Sequence, residues 1–277
     1  MPSLAAQRIS PDFSNVLDNF GRARFCAESR DSLIVRIPEK SYGSAEMISP
    51  DGGILTVKHV VEGREDEVFV SPLLLNPPNW IKAQVIQIAN DTDLALLLIP
   101  ELKGDKEFST TKIASNPSFA GEDVYTIGFG SLLSDGQVIG YSNQNDLLPF
   151  PDIFHSNGHY VMVTNHVREA DSGSKLVNSA AEMVGVTIES FLKQIKMDFN
   201  GLSVEEQEKI MDEVGTRVVN EIFGDKVNST GIVLKRPLRN IAGVISVERI
   251  IQFLSSCGIS EHDFLDGKPI RSSLKKC

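Results

Sequence analysis

Gly52-Gly53-Ile54-Leu55-Thr56-Val57-Lys58-His59-Val60-Val61 is the stretch that decides the architecture. Glycine tolerates the backbone of a tight turn. The run behind it is apolar and rich in β-branched residues, which predicts a strand over 54–61 that brings the His59 imidazole to its end. Working outward, the same short apolar rhythm returns at 32–37 (SLIVRI), 44–49, 67–71, 82–89 (KAQVIQIA), 94–99 (LALLLI), 124–129 (VYTIGF), 137–142, 159–165 (HYVMVTN), 174–178 and 182–189 (EMVGVTIE). Gly, Pro, Asn and Asp separate the runs. Many short strands punctuated by turns predict an all-β sandwich or barrel. Leu94–Ile99 is apolar at every position, the pattern of a strand covered on both faces.

Three stretches depart from that rhythm. Over 10–24, Ser10 is placed to cap, Pro11 falls at the first helical position, and Phe13, Val16, Leu17 and Phe20 share a face, which predicts a short helix. In 190–224, Ser203 and Glu206 have the spacing of a capping box. Ile210, Met211, Val214, Val218 and Ile222 then form one stripe and Gly224 stops it, so a helical insertion docked on the β core is expected. A strand pair near 231–236 and 240–245 follows. Ser246 is placed to cap a last helix with Val247, Ile250, Ile251 and Leu254 inward and Gly258 as its stop. Residues 259–277 are polar and read as a loose tail.

The chain has 277 residues, 41% of them hydrophobic and 23% charged, which excludes a collagen, a coiled coil and a wholly disordered chain. A net charge of −10, with no dense Lys/Arg stripe, argues against nucleic-acid and membrane-surface partners. No apolar run approaches a membrane span, and the N-terminal residues lack the continuous apolar stretch of a signal peptide. Cys26, Cys257 and Cys277 are too sparse for a disulfide framework. A reducing, cytoplasmic setting is the expectation, with secretion after processing as the alternative.

Chemistry-bearing motifs are few. There is no C-x-x-C, no H-E-x-x-H, no Walker loop and no Rossmann fingerprint, so neither a metal nor a cofactor is expected. Of the histidines, His155, His159, His166 and His262 lie in unremarkable contexts, whereas His59 ends an apolar run. In Asp91-Thr92-Asp93-Leu94-Ala95-Leu96-Leu97, Asp93 opens the most apolar run of the chain, where a carboxylate needs a hydrogen-bond partner. Ser172 stands in Glu169-Ala170-Asp171-Ser172-Gly173-Ser174-Lys175-Leu176-Val177. Taken alone, Asp93 reads as a strand-start turn residue and Ser172 as part of a polar β-turn. Together, in the order His, Asp, Ser, they have the chain order of a chymotrypsin-type triad.

The blocks resemble the trypsin-like (chymotrypsin-fold) serine protease family, most closely its HtrA/DegP-like branch. Gly43-Ser44, Ile48-Ser49-Pro50-Asp51-Gly52-Gly53-Ile54-Leu55-Thr56 and His59-Val60-Val61 resemble that branch's histidine motif, and Asp93-Leu94-Ala95-Leu96-Leu97 its aspartate motif. Tyr125-Thr126-Ile127-Gly128-Phe129-Gly130 is similar to the strand and glycine turn before its second hairpin. Asp171-Ser172-Gly173-Ser174 with Leu176-Val177 and Val184-Gly185-Val186 resembles its serine motif. Ile241-Ala242-Gly243-Val244-Ile245-Ser246 and the helix after it resemble its closing strand and helix. The resemblance spans roughly residues 30–257, outside the insertion. It implies two six-stranded antiparallel β-barrels, with an N-terminal helical extension at 1–30, a protease domain at 31–258 carrying the insertion at 190–230, a C-terminal helix, and a polar tail at 259–277. Too few residues follow the last helix for a PDZ domain.

By that resemblance His59 is the general base, Asp93 its orienting carboxylate and Ser172 the nucleophile. The backbone N–H groups of Ala170 and Ser172 form the oxyanion hole, and activity rises as pH passes through about 6.5–7. The implied specificity pocket draws on His166, Thr187 and Gly243, with His166 favouring acidic residues or serving only as an exposed turn residue. The substrate is a protein or peptide. The helix at 203–222 is a lid, a contact for an activator or a second copy, or a cover for a barrel edge. The alternative function is a catalytically weak or inactive protease-fold protein that binds partners. Two departures stand out. Ala170 replaces the family's Gly, and a Cβ there costs roughly 1–2 kcal/mol or turns the peptide. Lys175 replaces a Pro or small residue and has no explanation in the sequence.

Overall fold

A computed structural model describes residues 30–38, 41–75, 77–100, 109–142, 160–168, 170–190, 203 and 242–274. The expected N-terminal helix, the insertion helix and the strand near 231–236 lie outside the described residues.

The first half is one seven-stranded antiparallel sheet in the order β5-β4-β1-β2-β3-β7-β6. Its strands are β1 (Ser32–Ile37), β2 (Ser41–Met47), β3 (Gly53–Thr56), β4 (Phe69–Pro72), β5 (Ile81–Lys82), β6 (Gln84–Ile88) and β7 (Ala95–Leu98). The run at 82–89 read as a single strand, but Ala83 divides it. Ile81–Lys82 pair with β4, whereas Gln84–Ile88 pair with β7 at the far edge. One residue thus joins the two edges, and the sheet curls on itself as a half-barrel without a closed ladder. This corrects the expectation of two six-stranded barrels. Leu94–Ile99 is buried throughout, as its all-apolar sequence requires.

The second half is a closed six-stranded barrel in the order β10-β13-β12-β11-β8-β9. Its strands are β8 (Asp123–Gly128), β9 (Leu132–Ser142), β10 (Tyr160–Val163), β11 (Lys175–Val177), β12 (Met183–Ser190) and β13 (Ala242–Ser246). Ile34 and Leu73 from the first half pack with Ile127 and Val177 from the second, an apolar seam between them.

Helix α2 (Val247–Ser256) buries Val247, Ile250, Phe253 and Leu254 and turns out of its helical path at Gly258, which has φ +86°. Ser246 stands at its N-cap, but its hydroxyl makes no capping bond; the backbone geometry alone starts the helix. The segment beyond is not a loose tail. Ser260 caps α3 (Glu261–Leu265), and Phe264 and Ile270 are fully buried. Arg271 grips the first half: its N–H donates to Asp51 Oδ2 at 2.7 Å and its guanidinium to the carbonyls of Asp51, Ile99 and Pro100 at 2.7–2.9 Å.

Lys175, the unexplained residue of the serine block, is 2% exposed and reaches from β11 into the first sheet. Its ammonium pairs with Asp31 and lies 3.5 Å from Glu46 Oε2. Burial pushes the Glu46 carboxyl from the ordinary 4.5 up to about 8, against the opposing pull of the Lys175 charge. Between those two values the folded chain holds a proton that an unfolded glutamate has released, so stability falls as pH rises across the window. Melting temperature should therefore decline from pH 5 to pH 8, and Glu46→Gln should flatten that decline. Equal slopes in the two proteins would remove Glu46 as the cause.

Candidate active site

The pairing of β3 with β7 builds the first part of the site. Thr56 faces Ala95 across that ladder, so the residues just past one strand end meet those just before the other. His59 does not prolong the strand as the apolar run suggested. It sits in a one-turn helix, α1 (Lys58–Val61), whose N-cap Val57 offers no side-chain acceptor. Asp93 supplies what the cap lacks. Its carbonyl accepts from Lys58 N–H at 3.2 Å, and its Oδ1 accepts from His59 N–H at 2.9 Å. Its other oxygen, Oδ2, meets His59 Nδ1 at 2.5 Å. A carboxylate there fixes the proton on Nδ1 and turns the Nε2 lone pair the other way.

Ser172 arrives from the second half. The turn 170–174 leans on β2: the Ser172 carbonyl accepts from Ser44 N–H at 2.8 Å, and the Ser44 hydroxyl donates to the Ala170 carbonyl at 2.8 Å. A Cβ placed on Gly43 would meet the Val60 side chain at 2.8 Å and the Ser172 carbonyl at 3.2 Å, so the turn and the residue that follows His59 both crowd this glycine. Gly173 has φ +90°, and a Cβ on it would collide with the Ser44 carbonyl and the Thr56 hydroxyl, so only glycine fits. Asp171 is fully buried and holds the turn from inside. It accepts from Ser131 N–H and Arg168 N–H, each at 2.8 Å, and from the Ser131 hydroxyl. These bonds hold the serine turn against β2 and fix it from within the second half.

The Ser172 hydroxyl donates to the Ile188 carbonyl at 2.6 Å. The register of β12 against β13 slips between Thr187 and Glu189, which makes Ile188 a bulged residue and turns its carbonyl toward the serine. Ala170 keeps a left-handed φ of +72°, the region a glycine would occupy, so its Cβ has not forced the backbone out of it. Among the described residues, neither the Ala170 N–H nor the Ser172 N–H finds a protein acceptor. Ala170→Gly relieves roughly 1–2 kcal/mol of steric cost but loses about 0.5–1 kcal/mol to backbone entropy. A small gain in urea stability is expected. A loss would show that the left-handed alanine is not strained.

The remaining expected site residues are placed as follows. Thr187 lies on β12, where its carbonyl accepts from Gly173 N–H at 2.8 Å and so borders the turn, whereas Gly243 lies on the neighbouring strand β13, opposite Glu189. His166 lies on the approach to the turn, where its Nε2 accepts from Arg168 Nε at 3.1 Å. Burial and the Arg168 charge lower its pKa, so a positive charge near the turn belongs to Arg168 and not to an imidazolium. Sequence reasoning missed the roles of Ser44, Ser131 and Ile188, which act through backbone bonds that leave no motif. It also missed an aromatic shelf beside the turn. Tyr42, 48% exposed, lies between Trp80 and Phe129 with ring centroids 6.3 and 5.9 Å away and tilted ring planes.

The trypsin-like peptidase domain family matches residues 43–186, just over half of the chain. A probable periplasmic serine endoprotease, DegP-like, of Pseudomonas savastanoi pv. phaseolicola is 34% identical over 172 residues, covering 59% of this chain and 32% of its own. The serine endoprotease DegS of Haemophilus influenzae is 25% identical over 205 residues, covering 72% and 55%. The chain thus spans 32% to 55% of the length of these two relatives. Among solved structures, the active form of the Rv3671c protease from M. tuberculosis superposes with a TM-score of 0.55 at 17% identity, covering 91% of this chain and 88% of that one. That likeness gives the architecture described above its place as a chymotrypsin-like fold.

Proposed function

The chain belongs to the trypsin-like peptidase family, and from that membership we propose that it is a serine endopeptidase acting on protein substrates through His59, Asp93 and Ser172. The observation that carries this reading is the pair of hydrogen bonds that the Asp93 carboxylate makes with His59, one to its backbone N–H and one to its Nδ1, together with a serine turn braced on β2. A serine hydroxyl is a weak nucleophile at neutral pH and needs a base within reach. Ser172 Oγ leaves the Ile188 carbonyl by rotation about χ1 and gives its proton to His59 Nε2 as the Oγ–carbon bond forms. The Ala170 and Ser172 N–H groups receive the oxyanion. His59 returns the proton to the departing amine, and water, deprotonated by the same imidazole, releases the acyl group. The aromatic shelf of Tyr42, Trp80 and Phe129 gives substrate side chains an apolar surface next to this turn.

A second reading draws support from the hydroxyl bond to Ile188: a protease-fold protein with little turnover that binds partners. A fluorophosphonate probe separates the two. Stoichiometric labelling, mapped to Ser172 by mass spectrometry and accompanied by casein cleavage, is the expected result. Folded protein that resists the probe at every pH and substrate condition would leave only the binding reading.

A further inference from the structure

Lys175 stands three residues beyond Ser172, in a position where the sequence offered no reason for a charge. Its backbone belongs to the closed barrel, paired with Ile127 of β8 and Val186 of β12. Its side chain leaves that barrel and ends among Asp31, Glu46 and Thr111 at the base of the first sheet. Glu46 also accepts from the Lys175 N–H at 3.2 Å and from the Ser32 hydroxyl at 2.9 Å, and the Thr111 hydroxyl donates to Asp31. Ser44, two residues before Glu46 on β2, holds the carbonyls of Ala170 and Ser172. One strand therefore braces the serine turn at its start through Ser44 and at its end through Glu46.

The charges decide how this brace works. Two carboxylates and one ammonium share a site closed to water, with side-chain exposures of 9% for Asp31, 0% for Glu46 and 2% for Lys175. The site is neutral only when one carboxyl keeps a proton; Asp31 takes the closest contact with the ammonium, and Glu46 is the more deeply buried of the two. Among the described residues, Lys175 and Asp31 are the charged groups bearing on Glu46; Lys112, beside Thr111, turns outward to Glu182. A buried ion cluster of this kind is a poor stabiliser compared with apolar packing, so its place behind the serine turn points to geometry instead.

We propose that Lys175 is a positioning residue for Ser172, tying the turn to the first sheet through Asp31 and a protonated Glu46, and that loss of the Glu46 proton loosens the turn. The proposal rests on the reading of Ser172 as the nucleophile. An ionised Glu46 competes with Asp31 for the ammonium and pulls the start of β11, to which the turn is joined.

The test is the rate of fluorophosphonate labelling from pH 5.5 to 9.5, on the full chain, with folding checked by cooperative melting. Wild-type labelling should rise through neutral pH and fall again above about pH 8, and Glu46→Gln should lose the alkaline fall. The charge-balanced pair Lys175→Met with Asp31→Asn should label roughly tenfold or more slowly at pH 7, because small displacements of a reacting group cost that much. An alkaline fall that persists in Glu46→Gln, or a folded double variant that labels at the wild-type rate, would overturn the proposal and leave the nucleophile reading intact. If the double variant does not fold, the Glu46→Gln profile decides alone. Wild type that never labels takes both readings down together.

Discussion

His59→Ala should slow fluorophosphonate labelling of Ser172 by on the order of 10⁴-fold or more, and casein cleavage should fall with it. Without a neighbouring base the serine proton has only the Ile188 carbonyl to go to, and a backbone carbonyl is far too weak a base to take it during attack. Ser172→Ala should remove labelling altogether, which fixes the site of modification. Structure does not confound the comparison, because His59 is exposed and the backbone N–H that bonds Asp93 is kept in the alanine variant. A His59→Ala protein that labels within tenfold of wild type would show that some other group activates the serine.

Asp93→Asn should cost about 10⁴-fold in turnover while leaving the fold in place. The amide oxygen of Asn can still accept from the His59 backbone N–H, so α1 keeps its external cap. The amide nitrogen then faces Nδ1 and donates to it, which moves the imidazole proton to Nε2. An imidazole in that tautomer has no lone pair to offer the serine. Asp93→Ala should add a loss of stability of about 1 kcal/mol on top, because two N–H groups of the helical turn depend on this residue and one of them bonds its side chain. Urea titrations of the two variants, set beside their labelling rates, test the division of labour. If Asp93→Asn labels at the wild-type rate, tautomer control is not what the carboxylate supplies.

The β-rich character of the chain and nearly every described strand were legible in the sequence, because period-two runs and turn residues are local signals, and the pairing of His59 with Asp93 agrees with the order of the motifs. Other features were hidden because their causes are distant. The run 54–61 is apolar enough for strand or helix, and what bends it into a helical turn after Val57 is a carboxylate 34 residues further along. Lys175 looked out of place because its partners lie 129 and 144 residues earlier. Ala83 gives no sign that it separates two strands at opposite edges of one sheet. Ser246 had the right residue type at the right position, yet no capping bond forms, since a cap is a matter of side-chain torsion as well as composition. The polarity of 259–277 concealed Phe264 and Ile270, two apolar anchors too widely spaced to make a pattern.

Arg271 and Ile270 have a temporal implication. A protein is synthesised from its N-terminus, so His59, Asp93 and Ser172 all exist before the residues that buckle onto the Asp51 turn and cover Gly53. The strand that leads to the imidazole is therefore finished last.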